Sequence, residues 1–186
     1  MEKTLGQHSS NCIRICLFGP ESSGKSTLSR KLSQHYNAPL VPEYAREYLQ
    51  NLWDTENLIC RPKDLLPIAK GQMQLENKAA RQSDKLIICD TDLLSTKVYS
   101  EAYYENWCPK LLEEYALKNT YDLYLLTYID TPWEADDLRD KPEQREEMFT
   151  HFKKALERYD RPYILLQGSL EQRMALATQQ IKKLLS

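Results

Sequence analysis

The sequence predicts an α/β domain with a mainly parallel five-stranded sheet flanked by helices. Short apolar runs alternate with longer segments of helical periodicity, and a glycine-rich turn joins the first apolar run to the first helix. The length of 186 residues suits one domain of ordinary size. Alternating strands and helices favour a parallel sheet, because each crossover helix packs back onto a face of that sheet.

The predicted strands are short and rich in apolar residues. The third of them is too continuously apolar for a half-exposed edge. Strands are expected at residues 13–18, 40–41, 85–89, 121–129 and 163–166. Helices are expected at residues 25–35, 44–53, 65–83, on either side of Trp107 and Pro109, at 142–159, and from the turn at Gly168 to Leu185.

A single domain accounts for most of the chain. Residues 1–12 are polar and lack a period, so a loose N-terminal extension is expected there. Residues 13–186 are expected to form the domain itself. Within it, residues 131–145 carry many charges, one Trp and little to bury, which predicts a mobile lid.

Composition excludes several classes of partner. Lys and Arg total 25 against 27 Asp and Glu, so the broad basic surface that duplex nucleic acid requires is not expected. No apolar run approaches the roughly 18 residues of a membrane helix. The five cysteines lack metal-binding spacing and are expected to be reduced thiols in the cytoplasm. The oligomeric state is open, with a homo-oligomer as one alternative.

Residues 19–26, Gly-Pro-Glu-Ser-Ser-Gly-Lys-Ser, satisfy the P-loop pattern GxxxxGK(S/T) in full. The segment lies between a predicted strand and a predicted helix, as a phosphate-binding loop of a P-loop NTPase requires. Lys25 is expected to reach the β- and γ-phosphates of ATP, and the Ser26 hydroxyl to ligate Mg²⁺. The nucleotide-binding residues predicted on this basis are Gly19, Glu21, Ser22, Ser23, Gly24, Lys25, Ser26 and Thr27.

Acidic residues follow two of the predicted strands, at the edge where open parallel sheets bind their ligands. Asp90 ends the third strand and is predicted to support Mg²⁺. Phosphorylation of an alcohol also requires a carboxylate that orients the hydroxyl and accepts its proton. Glu43 and Asp92 both fit that role. Asp92 also precedes a helical stretch, where Asp is a favoured N-cap.

Arginines on the predicted lid suit the neutralisation of phosphate charge and the exclusion of water from a kinase site. Arg139 and Arg145 are the candidates, and the alternative is a solvated charged loop with weak ion pairs. Trp133 suits stacking against a flat heterocycle. Further candidates for an aromatic pocket are Tyr44, Tyr48, Tyr99, Tyr103 and Tyr104.

Several short motifs follow one another from about Ile13 to the C-terminus. They are the P-loop segment, Glu43-Tyr44-Ala45-Arg46-Glu47-Tyr48, Gly71-Gln72, Asp90-Thr91-Asp92, Trp133 with Asp136-Asp137-Leu138-Arg139, and Gln144-Arg145. In this order and wording, the sequence resembles the ribosylnicotinamide kinase domain of NadR-type NAD-salvage proteins, which are grouped with AAA-like P-loop ATPases.

The resemblance implies phosphorylation of nicotinamide riboside to its mononucleotide at the expense of Mg-ATP. It also implies that Arg46, Asp92 and Asp136 or Asp137 lie near the ribosyl hydroxyls, and that Trp133 lies near the cationic pyridinium ring. Full NadR-type proteins carry an adenylyltransferase domain, and some a DNA-binding segment. This sequence shows neither, so adenylation and repression are not carried over.

Two alternatives stay open from the sequence. One is a kinase of the same build that acts on another nucleoside or nucleotide. The other is a P-loop ATPase that regulates a protein partner. A kinase should turn over little ATP without its acceptor, whereas a regulator should respond to a protein.

Overall fold

Five parallel strands form one sheet in the order β2-β3-β1-β4-β5 in the computed structural model, which describes residues 5–134, 138 and 142–186. The strands are β1 (Ile13–Phe18), β2 (Leu40–Val41), β3 (Leu86–Asp90), β4 (Leu123–Thr127) and β5 (Tyr163–Leu166). The helices are α1 (Lys25–Tyr36), α2 (Tyr44–Glu56), α3 (Leu65–Arg81), α4 (Leu93–Tyr103), α5 (Lys110–Lys118), α6 (Arg145–Arg158) and α7 (Leu170–Leu185). The predicted parallel five-stranded sheet flanked by helices is confirmed.

The side chains of the central strand β1 alternate between two cores, one on each face of the sheet. On one face, Phe18 meets Tyr124 and Phe152 edge-on, with ring centroids 5.3 and 4.8 Å apart. On the other face, Leu17 packs with apolar residues of α1 and α7, among them Leu28. Because the sheet is buried on both faces, its strands appear in the sequence as continuous apolar runs and not as an alternation of apolar and polar residues.

The helices that flank the sheet bury apolar side chains toward it, as Leu28 and Leu32 of α1 show. α1 and α7 contribute to the core on one side, and α4 and α6 to the core on the other. Within the described ranges, no helix combines the length and the apolar character that crossing a bilayer requires.

The expected loose extension over residues 1–12 is wrong from Leu5 onward. Leu5 is fully buried in a cluster with residues of α3 and α5, and its carbonyl accepts a hydrogen bond from Nδ2 of Asn119 at 2.9 Å. Gln7 donates through Nε2 to Oε1 of Glu76 at 2.8 Å. The prediction failed because the partners of this polar segment lie on helices distant in sequence. Residues 1–4 lie outside the described part of the chain.

Gly71 of α3 lies directly against the ring of Tyr44 at the start of α2. A Cβ atom at Gly71 would lie 2.0 Å from Cε1 of Tyr44. Alanine stabilises a helix by about 1 kcal/mol relative to glycine, whereas overpacking costs about 1–3 kcal/mol. We therefore expect Gly71→Ala to lower the melting temperature by about 2–4 °C, the effect of a net loss near 1 kcal/mol. Lys70→Ala, at an exposed position of the same helix, is the control. An unchanged or higher melting temperature for Gly71→Ala would contradict the expected clash.

Candidate active site

A cavity of about 730 Å³ opens at the carboxyl edge of the sheet, within the size range of small-molecule sites. Its walls come from the loop between β1 and α1, from α2, α3 and α4, and from the segments that follow β4 and β5. The predicted site residues that line it are Glu21, Ser22, Ser23, Gly24, Lys25, Ser26, Thr27, Glu43 and Arg46.

The P-loop has backbone geometry suited to an anion. Gly24 is the N-cap of α1 with φ 84°, and Ser22 has φ 56°, so both lie in the left-handed region. Gly19 permits a close approach to β4, because a Cβ there would lie 2.6 Å from Oγ1 of Thr127. Such turns direct successive N–H groups to one side, and the N-terminus of α1 adds partial positive charge.

Side chains around the P-loop bind its carbonyl oxygens. The Pro20 carbonyl accepts a hydrogen bond from Oγ of Ser23 at 2.7 Å. The Ser22 carbonyl accepts one from Oγ1 of Thr131 at 2.7 Å and one from Nη2 of Arg145 at 3.1 Å. Because carbonyl oxygens repel phosphate, these donors favour a loop conformation that receives an anion.

Lys25, Ser26 and Asp90 form a polar cluster beside the cavity. Lys25 is buried, and its Nζ donates to the Pro20 carbonyl at 2.6 Å. Asp90, the last residue of β3, is 4 % exposed. Burial raises the pKa of the Asp90 carboxyl, while Lys25 and a hydrogen bond with the Ser26 side chain act in the opposite direction. The strand thus brings a carboxylate against the P-loop.

The donors at this cluster fit a divalent cation. Oδ1 of Asp90 is buried and has no hydrogen-bond partner among the described residues. An unpartnered buried carboxylate oxygen is unfavourable unless a ligand satisfies it. Mg²⁺ prefers oxygen ligands and retains several waters, and Asp90 and Ser26 offer two neighbouring oxygens.

Asp92 does not reach the cavity surface, although the sequence placed it among the catalytic and substrate-binding residues. It is 1 % exposed and is the N-cap of α4. Its Oδ1 accepts from the Ser95 amide at 2.8 Å and from the Ser95 hydroxyl at 3.0 Å, and its Oδ2 accepts from the Tyr124 hydroxyl at 2.8 Å. The alternative that the sequence left open, a helix cap, is the arrangement found.

Glu43 is the carboxylate of the two that lines the cavity. It occupies the N-cap position of α2 without a side-chain capping bond. Burial, together with the carboxylates of Glu21 and Glu43, raises the pKa of the Tyr99 hydroxyl well above its usual range. The P-loop, the start of α2 and helix α4 therefore meet around this tyrosine.

Tyr44 and Arg46 differ in position although both belong to the first turn of α2. Arg46 lines the cavity. Tyr44 lies against Gly71 instead, and its amide donates to Oε1 of Gln72 at 2.9 Å. The substrate-binding role expected for Tyr44 is not supported, because its ring fills the space that Gly71 leaves on α3. The Gly71-Gln72 motif thus positions the start of α2.

The segment after β4 is bonded to the P-loop. The Glu134 amide donates to Oγ of Ser22 at 2.9 Å, and Arg145 also donates to the Thr131 carbonyl at 3.0 Å. Trp133 does not line the cavity; its ring lies 5.6 Å from the guanidinium carbon of Arg145. The Trp133 ring, which was expected to stack on a substrate ring, thus lies against an arginine.

Three other residues predicted for the site, Arg139, Asp136 and Asp137, lie outside the described residues.

Other aromatic and apolar residues complete the lining of the cavity. Tyr99, Tyr103 and Tyr104, three of the five tyrosines considered from the sequence, line it. Tyr48 instead donates to Oδ1 of Asp64 at 3.1 Å. Apolar side chains also line the cavity: Leu49, Ile59, Leu65 and Ile68.

Sequence reasoning missed Arg173 and Asp130. Arg173, in the first turn of α7, is 2 % exposed and lines the cavity. Asp130 follows β4 as Asp90 ends β3, so the reasoning applied to Asp90 would have selected it. The sequence also contained a signal for Arg173. A cation in the first turn of a helix opposes the helix dipole, so its presence there indicates a compensating interaction.

Known proteins are similar to this chain in sequence and in fold. The trifunctional NAD biosynthesis/regulator protein NadR of Escherichia coli (strain K12) is 33 % identical over 128 residues, which cover 67 % of this chain and 30 % of the relative. The matched part of the chain therefore spans less than a third of the length of that curated relative.

Solved structures extend the likeness in fold to almost the whole chain. A NadR protein in complex with NR aligns with a TM-score of 0.74 and 23 % identity, covering 94 % of this chain and 52 % of that one. Thymidylate kinase from Ehrlichia chaffeensis aligns with a TM-score of 0.69 and 16 % identity, covering 94 % of this chain and all (100 %) of that one. The fold is that of P-loop nucleoside and nucleotide kinases.

The family match covers the sheet, the P-loop and the start of α7. Residues 14–173 match the family described as an AAA domain. With the NadR relative, this match confirms the resemblance drawn from the motifs. The chain belongs to this AAA-domain family of P-loop proteins.

Proposed function

We propose that the chain is an ATP-dependent kinase that transfers the γ-phosphoryl group of Mg-ATP to a hydroxyl of nicotinamide riboside in NAD salvage. The observation that carries the proposal is the cluster of Lys25, Ser26 and Asp90 at the P-loop, beside a cavity with room for a second, ring-bearing molecule. The likeness to NadR, including a NadR protein in complex with NR, supports nicotinamide riboside as the acceptor.

The donor would bind at the P-loop. The amides of residues 19–26 and the N-terminus of α1 would hold its phosphates, and Lys25 would exchange its bond with the Pro20 carbonyl for one with a phosphate oxygen. Ser26 and Asp90 would hold Mg²⁺, which neutralises charge on the phosphates as the γ-phosphoryl group leaves. The unpartnered Oδ1 of Asp90 supports this role.

The acceptor would occupy the part of the cavity between α2, α3 and α4. Glu43 would orient the attacking hydroxyl and take its proton, because it is the predicted carboxylate that lines the cavity. Arg46 lies one turn along the same helix and suits the ribosyl hydroxyls. Tyr99, Tyr103 and Tyr104 offer aromatic faces to a flat cationic ring, a role that the sequence had given to Trp133.

Arg145 would exclude water and neutralise charge over the reacting phosphates. It is the described arginine of the predicted lid, and it binds the carbonyls of both Ser22 and Thr131. Burial lowers the pKa of its guanidinium, although that group stays charged at neutral pH. Arg139, Asp136 and Asp137 remain candidates for the lid and the ribosyl contacts on the sequence resemblance.

A cytoplasmic location fits this function. The five cysteines are free thiols, and three of them are buried. Reduced thiols are typical of the cytosol, where ATP is available.

The likeness to NadR and to a nucleotide kinase does not favour the alternative of an ATPase that regulates a protein partner.

A screen of nucleosides for ADP release tests the acceptor. We expect Mg-ATP turnover to be slow without an acceptor and to rise most with nicotinamide riboside, with the mononucleotide as product. Adenosine, cytidine and thymidine serve as comparison acceptors of similar size. A higher kcat/KM with one of these would identify that nucleoside as the acceptor. ATP turnover that does not change with any acceptor would refute the kinase assignment.

A further inference from the structure

Arg173 extends from the first turn of α7 into a buried position under the P-loop. Its side chain is 2 % exposed. Nη1 donates to the Ser23 carbonyl at 2.6 Å, and Nε donates to the Gly168 carbonyl at 3.1 Å. Nη2 donates to the Tyr128 carbonyl at 3.0 Å and forms an ion pair with Asp130. One guanidinium group therefore binds oxygens from three separate loops.

These three loops form one side of the cavity. Ser23 belongs to the P-loop, Tyr128 and Asp130 follow β4, and Gly168 lies in the turn between β5 and α7. Asp130 also accepts a hydrogen bond from the Gly168 amide at 2.5 Å through its other oxygen. The loops are far apart in sequence, so local turn preferences do not set their relative positions. The main-chain bond between the Tyr128 amide and the Leu166 carbonyl joins two of them, and the Arg173 side chain connects both to the P-loop.

The position of Arg173 is unfavourable by local criteria. A cation in the first turn of a helix opposes the helix dipole, and a buried charge costs several kcal/mol unless it is paired and hydrogen-bonded. The ion pair with Asp130 offsets part of that free-energy cost. Burial alone would raise the pKa of the Asp130 carboxyl, but the Gly168 amide and the Arg173 guanidinium together lower it. A buried charge pair at an electrostatically unfavourable position, beside the cavity, points to a role in that site.

We propose that Arg173 is a positioning residue for nucleotide binding, which holds the Ser23 carbonyl away from the phosphate side of the P-loop and fixes that loop to the β5–α7 turn. Nη1 of Arg173 also lies close to Gly24, the P-loop residue with left-handed backbone: a Cβ atom added at Gly24 would be 3.3 Å from Nη1. Without the guanidinium, the Ser23–Gly24 peptide is free to turn its carbonyl toward the anion. The inference rests on the proposed function in taking ATP as the ligand.

Calorimetric titration of Mg-ATP into the full chain tests Arg173→Met, which keeps most of the side-chain volume and removes the charge. We expect the dissociation constant to rise by about 10- to 100-fold, the effect of losing a charge-assisted hydrogen bond. Arg173→Lys keeps the charge but loses the planar set of donors, so a smaller rise of about fivefold is expected. Lys182→Met, on the exposed side of the same helix, should bind as the wild type does.

Steady-state kinetics separate positioning from general destabilisation. KM for ATP should rise with the dissociation constant, while KM for the acceptor stays within about twofold, the usual error of additivity between independent sites. A folded Arg173→Met variant that binds Mg-ATP like the wild type would overturn the inference, as would equal rises in both KM values. If Arg173→Met does not fold, wild-type affinity in Arg173→Lys would overturn it.

The titration also separates this inference from the proposed function, because it needs no acceptor. A wild type that binds Mg-ATP but does not phosphorylate nicotinamide riboside would refute the acceptor and leave Arg173 open to the same test. A wild type that binds no Mg-ATP would refute both.

Discussion

Lys25→Ala is expected to reduce turnover by about 10²–10⁴-fold, the scale on which a preorganised charge contributes to catalysis. The Lys25 ammonium group is buried at the P-loop and is held by the Pro20 carbonyl, so it is already near the position where phosphate charge would develop. Alanine removes that charge and leaves the backbone amides in place. Nucleotide binding should therefore weaken less than turnover does, as coupled measurements of Mg-ATP affinity and ADP release would show.

Lys31→Ala is the matched control for this change. Lys31 lies on the same helix at an exposed position, and it does not line the cavity. Its variant should retain wild-type turnover. Substantial acceptor phosphorylation by a folded Lys25→Ala variant, or an equal loss in Lys31→Ala, would contradict the assignment of Lys25 to the γ-phosphoryl transfer.

Asp90→Asn is expected to reduce turnover by about 10²-fold or more, because a metal that neutralises phosphate charge supplies several kcal/mol to the transition state. The substitution preserves the shape of a side chain that is 4 % exposed and removes its negative charge. The loss should be largest at low Mg²⁺ and should shrink as the Mg²⁺ concentration rises. A titration of turnover against Mg²⁺ at saturating ATP gives this readout.

Asp84→Asn controls for the loss of one carboxylate, since Asp84 is exposed and precedes the same strand. It should leave the Mg²⁺ dependence unchanged. An Asp90→Asn variant with wild-type turnover at every Mg²⁺ concentration would remove Asp90 from the metal site. A melting temperature near that of the wild type would show that any loss is not caused by unfolding.

Local patterns carried the fold prediction. The strand Leu86–Asp90, apolar up to Cys89, and the glycine-rich turn after β1 each contain the physical cause of their own structure. The causes are burial on both faces for the strand and left-handed backbone at Gly24 for the turn. The predicted helix and strand positions agree with the structure to within a few residues. Asp90 could be selected for the same reason, because its position at a strand end follows from the strand itself.

The direction in which a side chain points distinguishes candidate residues that the sequence leaves equivalent. Asp92 and Glu43 both follow strands and both precede helices, yet Asp92 caps α4 and bonds Tyr124, whereas Glu43 faces the cavity. Tyr44 and Tyr99 are both helical tyrosines, yet one ring packs against Gly71 and the other lines the site. Residue type and spacing are alike within each pair, so a single sequence does not separate them.

The sequence was sufficient to predict the parallel sheet, the phosphate-binding turn between β1 and α1, and the resemblance to a family of P-loop proteins. Each was inferred from short local patterns and from their order along the chain. The packing of the chain was needed to show which acidic residue faces the cavity and that Trp133 meets Arg145. It also shows that Arg173 reaches the Ser23 carbonyl from 150 positions away in the sequence. Contacts at such separations are formed by the packing of helices on both sides of the sheet, which no local spacing encodes.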